Sequence, residues 1–393
     1  MRKTTTLLLA PDTLFMKTPD GKYWSDTIYS YKFFERYLDV FDKVIIASRC
    51  KNASYKDVKG YLRSDGVNIE IREMPALQGM SSYIRNIVKF YQSAKEACKD
   101  VDCAIFRLPS VPAAMVLFNY QKLGLPYALE VVADPYEAYA SNTIARYLFS
   151  YHLKYFSKKA DGVSYVTKYY LQSKYPSAIN LNKKGRFESY YSTINLDNNY
   201  FVSPRDFTGK KSFSIIHTAN NMNNNVKGHE VLLRAVDFVL KKGYVVNLTF
   251  VGDGILKNTF EDLAVKLGIK EQVRFTGMLS NSDEVRAELL KADIFVFPTK
   301  AEGLPRSLIE AMAVGLPCIS TPIAGIPELL ANEDMIEPTN ISGFSKRIIE
   351  FISDTKLLNE KSRRNIEVAK NYRGEILREK RREFYNNLKS ITK

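Results

Sequence analysis

Short apolar runs and amphipathic stretches alternate from one end of the chain to the other. In the first half the runs are Thr5–Ala10, Lys43–Ser48, Val67–Glu73, Cys103–Leu108, Tyr127–Val132 and Gly162–Val166. They are short and rich in aliphatic side chains, as buried strands are. Between them, Ile28–Leu38, Ser82–Cys98 and Val111–Lys122 carry apolar residues at helical spacing. Alternation of this kind predicts a parallel sheet covered by helices. The segment Thr193–Pro204 is polar and ends in Pro, which reads as a linker.

A second alternation follows. Strands are expected at Ser212–His217, Val245–Val251, Gln272–Gly277, Ile294–Phe297 and Pro317–Thr321. Helices are expected at Gly228–Lys241, Leu256–Leu267, Ser282–Leu290 and Ser307–Val314, with a further one near Pro327–Leu330. The tail Ser362–Thr392 is charged and helical in pattern, with a kink expected at Asn371-Tyr372. Two doubly wound α/β domains in one chain are therefore predicted. A ligand in such folds sits beyond the carboxyl ends of the strands, here in the expected crevice between the two domains.

The densest chemistry lies in residues 294–317. An apolar strand (Ile294–Phe297) runs into Pro298 and Thr299, then Glu302-Gly303-Leu304-Pro305, then a helix. The start of a helix offers unsatisfied backbone N–H groups and a positive dipole end, which suit an anion. Glu302 stands before that helix and Glu310 stands inside it. N–H groups take phosphate and carboxylates accept hydrogen bonds from hydroxyls, so the combination suits a nucleotide-sugar. Lys227 falls between a strand and a helix, where a fixed cation would stabilise a leaving diphosphate. Val251-Gly252-Asp253-Gly254 marks a tight strand-to-helix turn, with Gly252 and Gly254 as candidate donor contacts. Asp134 ends an expected strand of the first domain and is read either as a catalytic or acceptor-side contact or as a helix cap. Gly21, in the loop Lys17–Trp24, is a candidate acceptor or phosphate contact.

The stretch Glu302 to Glu310 resembles the E-x7-E signature of retaining glycosyltransferases of the GT-B fold, glycosyltransferase family 4. Lys227-Gly228-His229-Glu230-Val231-Leu232-Leu233 resembles that family's K-G-x-x-x-L-L, and Val251 to Gly254 resembles its V-G-x-G. Phe275-Thr276-Gly277 and Ala292-Asp293-Ile294 fit its spacing. The resemblance implies two Rossmann-like domains facing a central cleft. It places an acceptor-binding domain at 1–200, a nucleotide-sugar domain at 201–370, and a basic helix at 371–393 that crosses back to the first domain. It implies that Glu310 binds the ribose hydroxyls and that Glu302 holds a hydroxyl of the donor sugar. The backbone around Gly303, Leu304, Pro305, Arg306, Ser307 and Leu308 would hold the diphosphate. The family's usual Arg before the Lys has no counterpart in Asn220–Val226, so Arg306 or Asn221 is the candidate replacement.

Composition narrows this reading. The net charge is +14, of which residues 1–200 carry +9 and residues 361–393 carry +7. A basic surface suits a phosphorylated substrate or an anionic membrane. A nucleic-acid partner is not expected, because no recognition motif accompanies the charge. Arg146–Lys159, with Tyr83–Tyr91, interleaves Lys with Tyr and Phe and is read as a candidate membrane-surface contact. Four scattered Cys and three His show no metal-ligand spacing. Asp100-Val101-Asp102 has a D-x-D pattern but precedes its strand, so no metal or other cofactor is expected. The basic start of the chain is followed by too short an apolar run for a secretory signal, which suggests a cytoplasmic protein, peripheral at the inner face of the membrane.

The activity expected is transfer of a sugar, of the hexosyltransferase class, from a nucleoside diphosphate sugar to a saccharide or lipid-linked acceptor in polysaccharide or glycolipid biosynthesis. UDP-sugar is the expected donor. The alternatives are epimerisation of a nucleotide-sugar on the same fold and a non-catalytic partner of another glycosyltransferase.

Overall fold

The computed structural model describes residues 4–77, 79–139, 142–181 and 185–392. The chain divides into two compact units, one of residues 1–191 with 378–393 and one of residues 192–377.

The first unit is built on ten strands: β1 (Thr6–Ala10), β2 (Leu14–Lys17), β3 (Tyr23–Ser25), β4 (Lys43–Asn52), β5 (Leu62–Arg63), β6 (Ile69–Pro75), β7 (Cys103–Leu108), β8 (Tyr127–Val131), β9 (Gly162–Tyr165) and β10 (Phe187–Tyr190). Their order is β10-β9-β8-β7-β1-β4-β2-β3-β5, with β6 also paired to β4. The pairings from β10 to β4, and of β4 with β6, are parallel. Every residue of β7 and β8 is buried, as expected for parallel strands covered on both faces. The core beneath them joins Phe90, Phe106, Val116, Leu117, Leu153 and Phe156.

Two features of this unit depart from the sequence reading. The stretch after β1 is a hairpin, β2 pairing antiparallel with β3. Gly21 sits in its exposed turn at φ +79°, where its N–H donates to Thr18 O at 2.9 Å. The short edge strands were too brief for periodicity to register. The second feature is a polar knot inside the core. Glu130 of β8 pairs with Arg107 of β7 and accepts from the hydroxyls of Tyr37 (3.1 Å), Tyr191 (3.1 Å) and Tyr385 (2.9 Å). A buried charge survives only when it is paired and hydrogen-bonded in this way. Tyr385 lies on the last helix, Gly374–Ser390, whose residues from 378 onward belong to the first unit. Its ring stacks on Tyr37 at 4.9 Å.

The second unit has five parallel strands: β11 (Phe213–Asn221), β12 (Val246–Asp253), β13 (Val273–Phe275), β14 (Ile294–Val296) and β15 (Cys318–Ile319), in the order β13-β12-β11-β14-β15. Helices His229–Lys241, Lys257–Leu267, Ser282–Lys291 and Arg306–Ala313 connect them in turn. The chain walks outward from β11 to β13 and then returns to place β14 on the other side of β11. The carboxyl ends of β11 and β14 therefore flank the point where strand order reverses, the ligand position of doubly wound sheets. The expected kink near Asn371 is a break between two helices, Thr355–Lys370 and Gly374–Ser390. Among the described residues no helix is long and apolar enough to cross a membrane.

Candidate active site

The loop that leaves β11 carries Lys227 and Gly228. Gly228 has φ +78°, and a Cβ there would stand 2.1 Å from Pro298 O, so only Gly lets this loop lie on the end of β14. The Lys300 N–H donates to Val226 O at 2.8 Å and ties the two loops together. Below them, His217 of β11 bonds through Nε2 to Lys227 O at 2.9 Å. Its ring lies 4.5 Å from that of His229, among Phe250, Phe260 and Phe297. Both histidines are fully buried, and burial lowers their pKa values, to about 4 for His217 and about 2 for His229. Both are neutral side chains that shape the floor beneath Lys227. Sequence reasoning dismissed the three His as lacking ligand spacing. The missed signal was a His at the end of a strand and another at the start of the next helix, flanking Lys-Gly.

The loop that leaves β14 carries Glu302. Thr299 is buried, and its hydroxyl donates to Ala301 O at 3.1 Å. Thr321 donates to Thr299 O at 2.9 Å, and Gly325 N–H donates to Gly303 O at 2.9 Å, so the loop is held from the β15 side as well. Glu302 is thereby presented to Lys227, and the two form an ion pair; Lys227 Nζ also donates to Ala301 O at 3.3 Å. Two residues 75 apart in sequence meet across the reversal point of the sheet.

The helix Arg306–Ala313 starts one turn after Glu302. Pro305 occupies its N-cap, and no side chain caps it. The N–H groups of Arg306, Ser307 and Leu308 lie in the first turn, where intrahelical acceptors do not exist. Glu310 lies on the same helix, and its carboxyl accepts no hydrogen bond from the described residues. Burial pushes its carboxyl up to about 7, opposed by the Arg306 charge. Tyr200 stands within the electrostatic reach of Glu310, and its buried hydroxyl has no partner among the described residues.

The turn after β12 closes a third side. Gly252 has φ +132° and donates to Gly277 O at 3.1 Å; a Cβ would meet Ala219 O at 1.8 Å. Gly254 packs against Met222, whose N–H donates to Asp253 O at 2.8 Å. The Asn-rich loop folds over this turn, with Asn223 Oδ1 accepting from Ile255 N–H at 2.9 Å and Asn221 Oδ1 accepting from Asn223 N–H at 2.7 Å. Gly252, Gly254, Lys227, Glu302 to Leu308 and Glu310 thus lie at the carboxyl ends of strands of the second unit.

Asp134 lies in the first unit with every lone pair engaged. It caps the helix Pro135–Ala138 through Tyr136 N–H (2.9 Å) and accepts from Tyr170 (2.8 Å), Tyr175 (2.5 Å) and Lys174 (2.6 Å). Although burial opposes it, these donors hold its carboxyl below the usual range. The hydrogen bonds match the helix-cap alternative and leave it poorly suited to take a proton. Asp102 accepts from Thr6 N–H at 2.7 Å at the amino end of β7, far from the ligand side of that sheet.

Residues 206–371 match the family model described as glycosyl transferases group 1. The protein is a glycosyltransferase. Protein CapJ of Staphylococcus aureus is 26% identical to this glycosyltransferase over 368 residues, covering 92% of this chain and 91% of CapJ. Sucrose-phosphate synthase from Thermosynechococcus elongatus superposes with a TM-score of 0.73 at 14% identity, over 98% of this chain and 99% of its own. Anabaena HepE, solved in complex with UDP, superposes with a TM-score of 0.66 at 16% identity, over 99% and 100%. The enzyme has the GT-B fold expected from its motifs.

Proposed function

We propose that this enzyme moves a hexosyl group from a UDP-sugar to a saccharide or lipid-linked acceptor with retention of anomeric configuration, in polysaccharide or glycolipid assembly. The observation that carries the reading is the Lys227–Glu302 pair across the reversal point, beside an uncapped helix start and a carboxyl without donors. A nucleoside diphosphate sugar supplies what each group lacks. Its phosphates take the N–H groups of Arg306, Ser307 and Leu308 and the charge of Lys227. Its ribose hydroxyls donate to Glu310. Glu302, released from Lys227, accepts from a hydroxyl of the sugar. One ion pair is exchanged for several charge-assisted bonds. Arg306 is the cation placed to replace the arginine that the loop Asn220–Val226 lacks.

In the transfer, the bond between the anomeric carbon and the phosphate oxygen breaks as a bond to the acceptor oxygen forms on the same face. The acceptor proton goes to the leaving phosphate oxygen, so no side-chain base is required. Lys227 and the helix start stabilise the charge that develops on the diphosphate. A lipid-linked acceptor would place the enzyme at the inner face of an anionic membrane as a peripheral protein. HepE, solved with UDP, is one structural neighbour that supports the choice of uridine.

The test is thermal shift with UDP and GDP, with and without magnesium, on wild type and Glu310→Ala. Stabilisation by UDP without metal, lost in the variant, is expected. No shift with either nucleotide would sink the donor assignment. Binding of a UDP-sugar with epimer formation in the absence of acceptor would identify the alternative reaction, and binding without turnover on any acceptor would identify the scaffold alternative.

A further inference from the structure

The helix Thr143–Ser157 of the first unit carries Ile144, Tyr147, Leu148, Tyr151 and Tyr155 at helical spacing. A stripe at this spacing is ordinarily the face that packs on the core. Here the opposite face, with Ala145, Leu153 and Phe156, is buried, and the stripe faces out: Ile144 is 80% exposed, Tyr151 68% and Tyr147 60%. Neighbouring helices extend it. Phe118 is exposed and packs edge-on against Phe156 at 6.1 Å. Tyr91 is exposed, as are Ile87 and Val88 on the same helix, and its hydroxyl accepts from Lys122 at 2.7 Å. Two of its helical segments carry basic charge alone. Residues 111–123 and 143–159 contain Lys122, Arg146, Lys154, Lys158 and Lys159 and no Asp or Glu. Lys159 lies 4.5 Å over the Tyr155 ring and Lys122 lies 5.1 Å over the Tyr91 ring.

We infer that this face docks on an anionic lipid bilayer. Its composition selects that occupant. Exposed aliphatic side chains find no partner on a nucleic-acid backbone, whereas they enter the acyl boundary of a bilayer. Tyrosine, apolar in body and polar at the tip, belongs at the interface of lipid and water. Lysines over the rings stand at headgroup height, their stems along the apolar surface. A second copy of the chain would bring like charge against like charge. The inference names the surface for the membrane contact in the proposed function, yet its chemistry depends on no catalytic residue.

The test is flotation of the full chain with phosphatidylcholine vesicles and with vesicles containing phosphatidylglycerol. Wild type should float with the anionic vesicles and stay behind with the neutral ones. Ile144→Ser/Tyr147→Ser/Tyr151→Ser should lose partitioning on the order of tenfold, and Lys154→Glu/Lys159→Glu more, since each basic residue at an anionic surface contributes about a factor of five. All of these side chains project from exposed positions, so unfolding temperatures should match wild type. Donor-dependent thermal stabilisation should also be unchanged, which separates this surface from the donor site. No flotation of wild type, or equal flotation of both variants, would overturn the inference. A wild-type dimer that the triple serine variant converts to monomer, without lipid binding, would overturn it in favour of self-association.

Discussion

Glu310 offers the sharpest test, because its environment makes two opposite predictions, for stability and for binding. Its side chain is half-buried, its carboxyl has no hydrogen-bond donor among the described residues, and desolvation pushes it up from an ordinary 4.5 to about 7. A raised acid pKa means that folding disfavours the ionised form. The penalty is absent below pH 4.5, grows as pH rises toward 7 and is complete above it. At 1.36 kcal/mol per pH unit the full penalty is about 3 kcal/mol. Glu310→Gln keeps the shape and removes the charge. The variant should therefore unfold several degrees higher than wild type at pH 8 and show little difference at pH 4.5. Binding should go the other way. Ribose hydroxyls donate to the carboxylate and favour ionisation, so a donor must bind the deprotonated form. With a free pKa near 7, the ionised fraction rises roughly twenty-fold between pH 5.5 and pH 7.5, and affinity should rise with it. A UDP-sugar is the ligand to use, since its diphosphate has no terminal phosphate to titrate in that range. Isothermal titration at several pH values should show this slope in wild type and a flat line in Glu310→Gln. A flat wild-type profile, or the same slope in the variant, would refute the assignment of Glu310 to the ribose.

Three further predictions follow from single contacts. Lys227→Met should lower kcat/KM by two to three orders of magnitude, as expected on losing a fixed cation at a developing charge, and activity with an added primary amine should recover in part. Gly228→Ala forces a Cβ onto Pro298 O at a positive φ and should destabilise the second unit by about 2–4 kcal/mol, measured by urea unfolding. Tyr385→Phe removes one of three hydroxyls from buried Glu130 and should lower stability by about 1–3 kcal/mol; an unchanged midpoint would show that Arg107 and the hydroxyls of Tyr37 and Tyr191 suffice.

The alternation of apolar runs with helical periodicity was enough to establish two parallel α/β halves, because each half buries its central strands on both faces. The stretch from Ile294 to Pro317 announced its chemistry locally: a strand, a turn with Glu302 and a helix with Glu310 occupy consecutive residues, and their order along the chain is their order in space. Lys227 was legible for the same reason, as a cation between strand and helix. What remained hidden depended on which strand lies beside which. Lys227 meets Glu302 only because β14 returns to pair with β11, and no pattern along the chain specifies that neighbour. Asp134 looked available at the end of β8, but Tyr170, Lys174 and Tyr175, 36 to 41 residues further on, fold back and consume its lone pairs. The loop around Gly21 was legible, but its being the turn of a hairpin depends on the pairing of β2 with β3. The segment Arg146–Lys159 displayed its Lys, Tyr and Phe without saying which side packs. Periodicity is a property of one segment; burial is decided by the segments around it, and here they cover the other side.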